Sequence, residues 1–117
     1  MRARLVAFGE LEVEGERYLH DVVIDAGRVR KRRKGPSKDF RSAYGHTPLT
    51  AGEDLPWGGS VLFVGTGADG ALPIDPSVED EARRRGVTIE AAPTEEICER
   101  LGDVPAKRVH AVLHATC

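Results

Sequence analysis

The chain has 117 residues, 40% of them apolar and 31% charged, with a formal net charge of −2 at pH 7. That size and balance suit one folded domain and exclude both a disordered chain and a protein coated in nucleic acid through an overall positive charge. Two cysteines, Cys98 and Cys117, are too few for a secreted disulfide scaffold or a Cys-rich zinc site, and the opening apolar run breaks at Gly9 and Glu10, well short of the ~20 residues of a membrane span. A cytoplasmic, reducing compartment is the expectation, with no membrane span, no metal and no cofactor.

From Leu5 to Val13 apolar and polar residues alternate, with Val6, Phe8, Leu11 and Val13 as the apolar set, and Glu14-Gly15-Glu16 then offers a tight turn. A hairpin is predicted, its returning segment running from Tyr18 to Ile24. After a second turn signal at Asp25-Ala26-Gly27, Val29 lies in a basic stretch, so a three-stranded antiparallel meander accounts for residues up to about Lys34. Between Gly35 and Pro56 apolar residues thin out, and this is the longest predicted loop. Within it, Thr50-Ala51-Gly52-Glu53 matches a capping box and predicts one helical turn, stopped by Pro56. Trp57 is expected to cover an edge of the core.

The second half changes rhythm. Val61 to Val64 is a continuous apolar run, expected of a strand covered on both faces. Asp75-Pro76 reads as an N-cap and first helical residue, and Gly86 closes that helix after Arg83-Arg84-Arg85. Val87 to Ala91 predicts a strand, Pro93-Thr94-Glu95-Glu96 opens a helix with Ile97, Cys98 and Leu101 on its apolar side, and Val109 to Leu113 predicts a final strand. Strand, helix, strand, helix, strand requires crossover connections.

Three stretches, VLFVGTGADGALPI, GVTIEAAPTEEICERL and VHAVLHATC, occur in an order and spacing that resembles the Mth938-like domain family, also called domain of unknown function 498. The opening hairpin adds Phe8, Gly9, Leu11, Val13, Gly15, Tyr18, Asp21 and Val22, so the resemblance covers nearly the whole chain as one domain, residues 1–117. It implies an α/β, three-layer fold with a mixed central sheet, helices and an added N-terminal β meander, and no established catalytic residues. Relatives in that family include an adipogenesis-associated protein and a mitochondrial factor that assists assembly of respiratory complex I.

Three groups of residues are candidates for function. Gly65, Gly67 and Gly70 follow a strand with G-x-G-x-x-G spacing, and with Thr66 and Asp69 they form a candidate loop for a small ligand or anion. A dinucleotide site needs a helix directly after the glycines, whereas Ala71-Leu72-Pro73-Ile74 intervenes and Asp75 would repel phosphate. The competing reading is structural, since glycine permits positive φ and close chain approach without a ligand.

The basic residues Arg30, Lys31, Arg32, Arg33 and Lys34 are the candidate protein-docking surface. In a strand Arg28, Arg30, Arg32 and Lys34 share one face while Lys31 and Arg33 take the other, and no aromatic residue is interleaved, so nucleic acid is not the expected partner. The plain alternative is a charged edge strand.

His114 and Cys117 are the third group. An imidazole beside a thiolate is reactive if the chain end curls, whereas His110 and His114, about 13 Å apart along a strand, do not suit one metal ion. Cys98 reads as a small buried hydrophobe. The chain is thus expected to be a small binding or assembly-accessory module with a protein partner rather than an enzyme. The alternative is a small-ligand or anion-binding protein, or a weak enzyme, with a pocket among Thr66, Asp69 and His114.

Overall fold

Alternation places Leu11 and Val13 on one side of a strand, and both are fully buried. In the computed structural model, which describes Met1–Cys117, they belong to an antiparallel three-stranded sheet of β1 (Ala3–Ala7), β2 (Glu10–Val13) and β3 (Glu16–Tyr18). A larger sheet combines β4 (Val22–Asp25), β5 (Arg28–Lys31), β6 (Val61–Gly65), β7 (Thr88–Ala92) and β8 (His110–Leu113) in the order β5-β4-β8-β6-β7. β4 runs antiparallel to β5 and β8, and β6 runs parallel to β7 and β8, so the sheet is mixed with β8 at its centre. The two-residue turns at Glu14-Gly15 and Ala26-Gly27 have positive φ at both positions, the geometry whose twist fits a tight hairpin.

The single returning segment predicted from Tyr18 to Ile24 is instead divided between two sheets at Leu19-His20-Asp21. The reason lies in the pattern: Val22, Val23 and Ile24 are consecutive and all buried, which a strand covered on both faces permits and a half-exposed hairpin does not. The same rule holds for β6, as predicted. Leu62 and Val64 pack with Val23, Leu49, Val78 and Val112 on one side of the sheet, while Phe63 packs with Leu11, Ile97, Leu101 and Leu113 on the other.

Helix α2 (Pro76–Arg85) begins as its sequence requires, with the Asp75 carboxylate accepting the Ser77 N–H at 2.9 Å, and ends at Gly86 in the left-handed region. Helix α3 (Thr94–Leu101) buries Ile97, Cys98 and Leu101 against β1 and β6. Burial, with the Glu95 charge adding to it, pushes the Cys98 thiol up to about 12, so Cys98 is an inert hydrophobe at neutral pH. Trp57 is partly buried against the second core cluster, with the Arg85 guanidinium 5.6 Å from its ring centroid. No helix is long and apolar enough to cross a membrane.

The loop predicted over Gly35 to Pro56 carries more structure than its composition suggests: a 3-10 helix over Gly35–Phe40 and a single turn of α-helix, α1 (Arg41–Tyr44). Tertiary bonds hold it. The Tyr44 hydroxyl donates to Asp75 Oδ1 at 2.6 Å, and buried Leu49 exchanges main-chain bonds with Pro73 and Asp75. The helical turn predicted at Thr50 to Glu53 is absent. The Glu53 N–H reaches the Thr50 carbonyl at 3.2 Å, but the Thr50 hydroxyl bonds Ser37 and the Glu53 carboxylate bonds Arg32 instead of capping a helix.

Candidate functional site

Strand β4 is preceded by Asp21 and β5 is followed by Arg32, so the hairpin brings a carboxylate and a guanidinium to the same end of the sheet. Arg32 is 4% exposed. Its Nε and Nη2 donate to the two oxygens of Glu53, each at 2.8 Å, its Nη1 donates to Asp21 Oδ2 at 2.9 Å, and Nη2 also reaches the Pro48 carbonyl at 3.0 Å. The Ser37 hydroxyl donates to Glu53 Oε2, so the buried charges are matched by a nearly complete set of partners. Asp21 Oδ1 accepts the Ala115 N–H at 2.8 Å, and Oδ2 also accepts His114 Nδ1–H at 2.8 Å. Burial alone would raise the Asp21 pKa, but the bonds from His114, Ala115 and Arg32 outweigh it and hold the carboxyl at about 2.

With Nδ1–H committed to Asp21, the His114 Nε2 faces the Thr116 hydroxyl at 3.2 Å. No hydrogen bond joins His114 to the Cys117 sulfur, so the imidazole meets a hydroxyl where the sequence suggested a thiol. His114, Thr116 and Cys117 line a cavity of about 260 Å³ together with Lys34, Arg41 and His46. Arg32 also borders it, with its charge already matched by Glu53 and Asp21. No Asp or Glu side chain lines this cavity.

The glycine loop lies beside it and is occupied by the chain itself. Every main-chain N–H from Thr66 to Leu72 has a partner within the protein. Ala68 donates to the Thr116 carbonyl at 2.7 Å, Asp69 and Ala71 donate to the Cys117 main-chain oxygen at 3.3 and 2.8 Å, and Gly70 and Leu72 close turns onto Gly67 and Thr66. Gly67 donates to the Thr94 hydroxyl, which in turn donates to the His114 carbonyl, both at 2.8 Å, so one buried side chain ties together the outlets of β6 and β8. Gly67 has φ +106°, and a Cβ there would lie 2.7 Å from the Thr116 oxygen and closer still to Cys117. Close approach of two chain segments accounts for this glycine.

The fold has solved counterparts. Over the full length of both chains it superimposes with a TM-score of 0.78 on the crystal structure of a conserved hypothetical protein, PH1505, from Pyrococcus horikoshii OT3, at 28% sequence identity. It matches a protein titled MT938 with a TM-score of 0.68 at 24% identity, covering 99% of this chain and 98% of that one. The solution structure of a Bordetella pertussis protein, titled a Mth938-like domain, matches with a TM-score of 0.59 at 23% identity over 96% of this chain and 85% of that one. The fold is Mth938-like. No protein-family model matches the chain, and no curated protein does either.

On this Mth938-like frame the sequence-derived candidates separate. Thr66 is buried at the root of the loop and Asp69 is exposed at its tip, on a different set of contacts from His114. Of the basic residues, Lys31, Arg33 and Lys34 are exposed, Arg30 is half-buried and pairs with Asp54, and Arg32 is withdrawn into the ionic cluster. The strand that was expected to align Arg32 with Arg30 and Lys34 ends at Lys31. Sequence reasoning did not reach Glu53, Arg41 or Thr116. For Asp21 a signal existed: a lone acid immediately before three consecutive buried-type residues marks a polar group anchored at a strand end.

Two outcomes are expected. Because the folded pKa of Asp21 lies below its ordinary value of 3.8, its contribution is fully present above that value and lost as pH falls toward 2. Circular dichroism should record a stability loss on the order of 2 kcal/mol through that window, and Asp21→Asn should flatten it. Gly67→Val should lower stability by at least about 2 kcal/mol, whereas Gly35→Ala, where a Cβ meets nothing within 4 Å, should stay within about 0.5 kcal/mol of the parent. Equal melting temperatures for the two variants would contradict the packing argument.

Proposed function

We propose that this chain is a binding module whose cavity at the outlet of β8 takes a small anion. The observation that carries the reading is the lining itself: Lys34, Arg41, His46 and His114 converge without an opposing Asp or Glu side chain. The Lys34 ammonium and the Arg41 guanidinium on one concave wall raise the local potential even where the whole chain has a net charge of −2, and the His46 and His114 rings complete that wall. Arg32 is not counted, because two carboxylates already match its charge. The anion site expected at the donors of the Gly65 to Gly70 loop is thereby moved to side chains beside it, since those donors are already taken by Ala92, Thr94, Gly67 and the segment at Thr116 and Cys117. Lys34 and Arg41 are exposed, so binding should weaken with added salt. Titrating sodium orthophosphate should shift the amide resonances around Lys34, Arg41 and His114, and Lys34→Ala with Arg41→Ala should weaken that binding at least about tenfold. Absence of saturable shifts at low ionic strength would sink the reading.

A second reading, the assembly-accessory module with a protein partner, has its own support. Leu19 is 77% exposed and shares a depression with His20, Lys31 and Lys34, and Phe8 is 65% exposed. Apolar side chains left in water beside unpaired lysines suit an acidic protein surface that also presents an apolar contact. A Phe8→Ser, Leu19→Ser variant should lose proteins that the parent retains from native extract; identical capture by both would remove this reading.

A further inference from the structure

We infer that Thr116 is a nucleophile activated by the Asp21–His114 pair, and that the chain accepts acyl groups on Thr116 from small anionic esters. The ester's negative charge rests on the anion site proposed above, whereas the nucleophile rests on separate observations.

The first observation is the linear array. Asp21 Oδ2 accepts His114 Nδ1–H at 2.8 Å, and His114 Nε2 meets the Thr116 hydroxyl at 3.2 Å. These are the two contacts by which a carboxylate fixes an imidazole and the imidazole takes a proton from an alcohol. The second is accessibility. The Asp21 and His114 side chains are 8% and 13% exposed, so acid and base are sheltered, while Thr116 is only partly buried and borders both the cationic cavity and the neighbouring depression.

The third concerns the main chain. The N–H groups of Thr116 and Cys117 have no partner within the protein, although every N–H of the adjacent loop has one. In a trans peptide the C=O and the following N–H point in opposite directions. The Thr116 carbonyl is turned to Ala68, so the Cys117 N–H is turned away from the loop. The His114–Ala115 peptide behaves the same way, its carbonyl on Thr94 and its N–H on Asp21. The Ala115 carbonyl accepts from Gly9, so the Thr116 N–H is turned to the opposite side from the Cys117 N–H. The N–H of the residue after the nucleophile, Cys117, is therefore the one main-chain donor suited to an oxyanion, and Lys34 and Arg41 line the same cavity.

The step balances without a cofactor or redox partner. His114 Nε2 takes the Thr116 hydroxyl proton as Oγ1 bonds to the ester carbonyl carbon and the carbonyl electron pair moves onto its oxygen. When the carbonyl re-forms, the bond to the leaving alcohol breaks, and the alcohol departs with that bonding pair and the proton from Nε2. Water then reverses the path, giving its proton to Nε2 and its oxygen to the carbonyl carbon, and Thr116 leaves reprotonated. The products are one carboxylic acid and one alcohol. Asp21 acts here as a positioning residue. Because its Oδ2 also accepts from Arg32 at 2.9 Å, it supports an imidazolium less than an unshared carboxylate would and slows both half-reactions. From an aryl ester the acyl-Thr116 ester accumulates because a phenolate leaves more readily in the first half than the Thr116 alkoxide does in the second.

The test incubates the full chain with the mono-p-nitrophenyl ester of succinic acid, and in parallel with p-nitrophenyl acetate. It records p-nitrophenolate release and locates adducts by peptide mass spectrometry. A burst with succinyl on Thr116 is expected, faster than acetylation and slowed by orthophosphate. Thr116→Val should reduce the burst at least about tenfold and remove the adduct, Thr116→Ser should keep both, and His114→Gln should slow the burst at least about tenfold with Thr116 still in place. An undiminished burst in Thr116→Val, or adducts confined to lysines or Cys117, overturns the inference. Saturable phosphate binding with no Thr116 adduct defeats the nucleophile and leaves the anion site standing. A Thr116 adduct formed equally well from both esters, without phosphate binding, upholds the nucleophile and defeats the anion site.

Discussion

The guanidinium of Arg32 is the constraint on which the rest of this end of the molecule depends. A cation taken out of water is tolerable only when its donors are matched, and Arg32 engages Asp21, Glu53 and a carbonyl at once. The partners come from two parts of the chain: Asp21 precedes β4, whereas Pro48 and Glu53 lie in the irregular segment after α1. Removing one member would strand a buried charge, a change that typically costs about 3–5 kcal/mol. The polar cluster therefore does what apolar contacts cannot do for a segment poor in apolar residues: it fixes residues 35–56 against the sheet. Ser37 and Thr50, both buried and bonded to one another, extend the same set.

The cluster also decides the state of the candidate site. Asp21 is held ionised by its donors, and one of those donors is His114. Because Arg32 and the Ala115 N–H fix the carboxylate from two other directions, the imidazole has one orientation in which its Nδ1 proton is used, and Nε2 is left toward Thr116. A structural salt bridge and the imidazole of the candidate site thus share one oxygen atom.

Much of the α/β half was legible from local rules because local interactions set it. Asp75-Pro76 and Gly86 delimit α2 through a cap and a left-handed residue, and the unbroken run at β6 announced burial on both faces. The places where expectation and structure part are those where a distant residue competes for a side chain. Glu53 has the spacing of a capping box, yet a bidentate bond to a buried guanidinium outweighs a solvent-exposed cap. Arg32 has the composition of a surface strand, yet its burial follows from carboxylates 11 and 21 residues away. The division of Tyr18 to Ile24 was written in the three consecutive apolar residues that begin at Val22, a signal hidden by reading the whole segment as one hairpin arm. The candidate site was hardest to read, since Lys34, Arg41, His46, His114 and Thr116 meet only through the packing of the irregular segment against the end of β8.

The glycine loop shows why a motif's donors and its location must be argued separately. Strand β6 and central strand β8 are parallel neighbours, so both release their chains on the same side of the sheet, where ligands of open α/β folds commonly bind. In a nucleotide fold the donors there await phosphate; here main-chain oxygens of Thr116 and Cys117 take those of Ala68, Asp69 and Ala71, while Ala92, Thr94 and turns within the loop take the rest. Gly67 is small so that Thr116 and Cys117 can approach. The location keeps its advantages after the donors are used. Turning the Thr116 carbonyl toward the loop turns the Cys117 N–H away from it, and the charged side chains that border the adjoining cavity, Arg32, Lys34 and Arg41, are cationic. The contact that takes the loop's Ala68, Asp69 and Ala71 donors is therefore the same one that orients the segment beside it, and the candidate site at this end of the sheet moves from the glycines to His114, Thr116 and the basic residues around them.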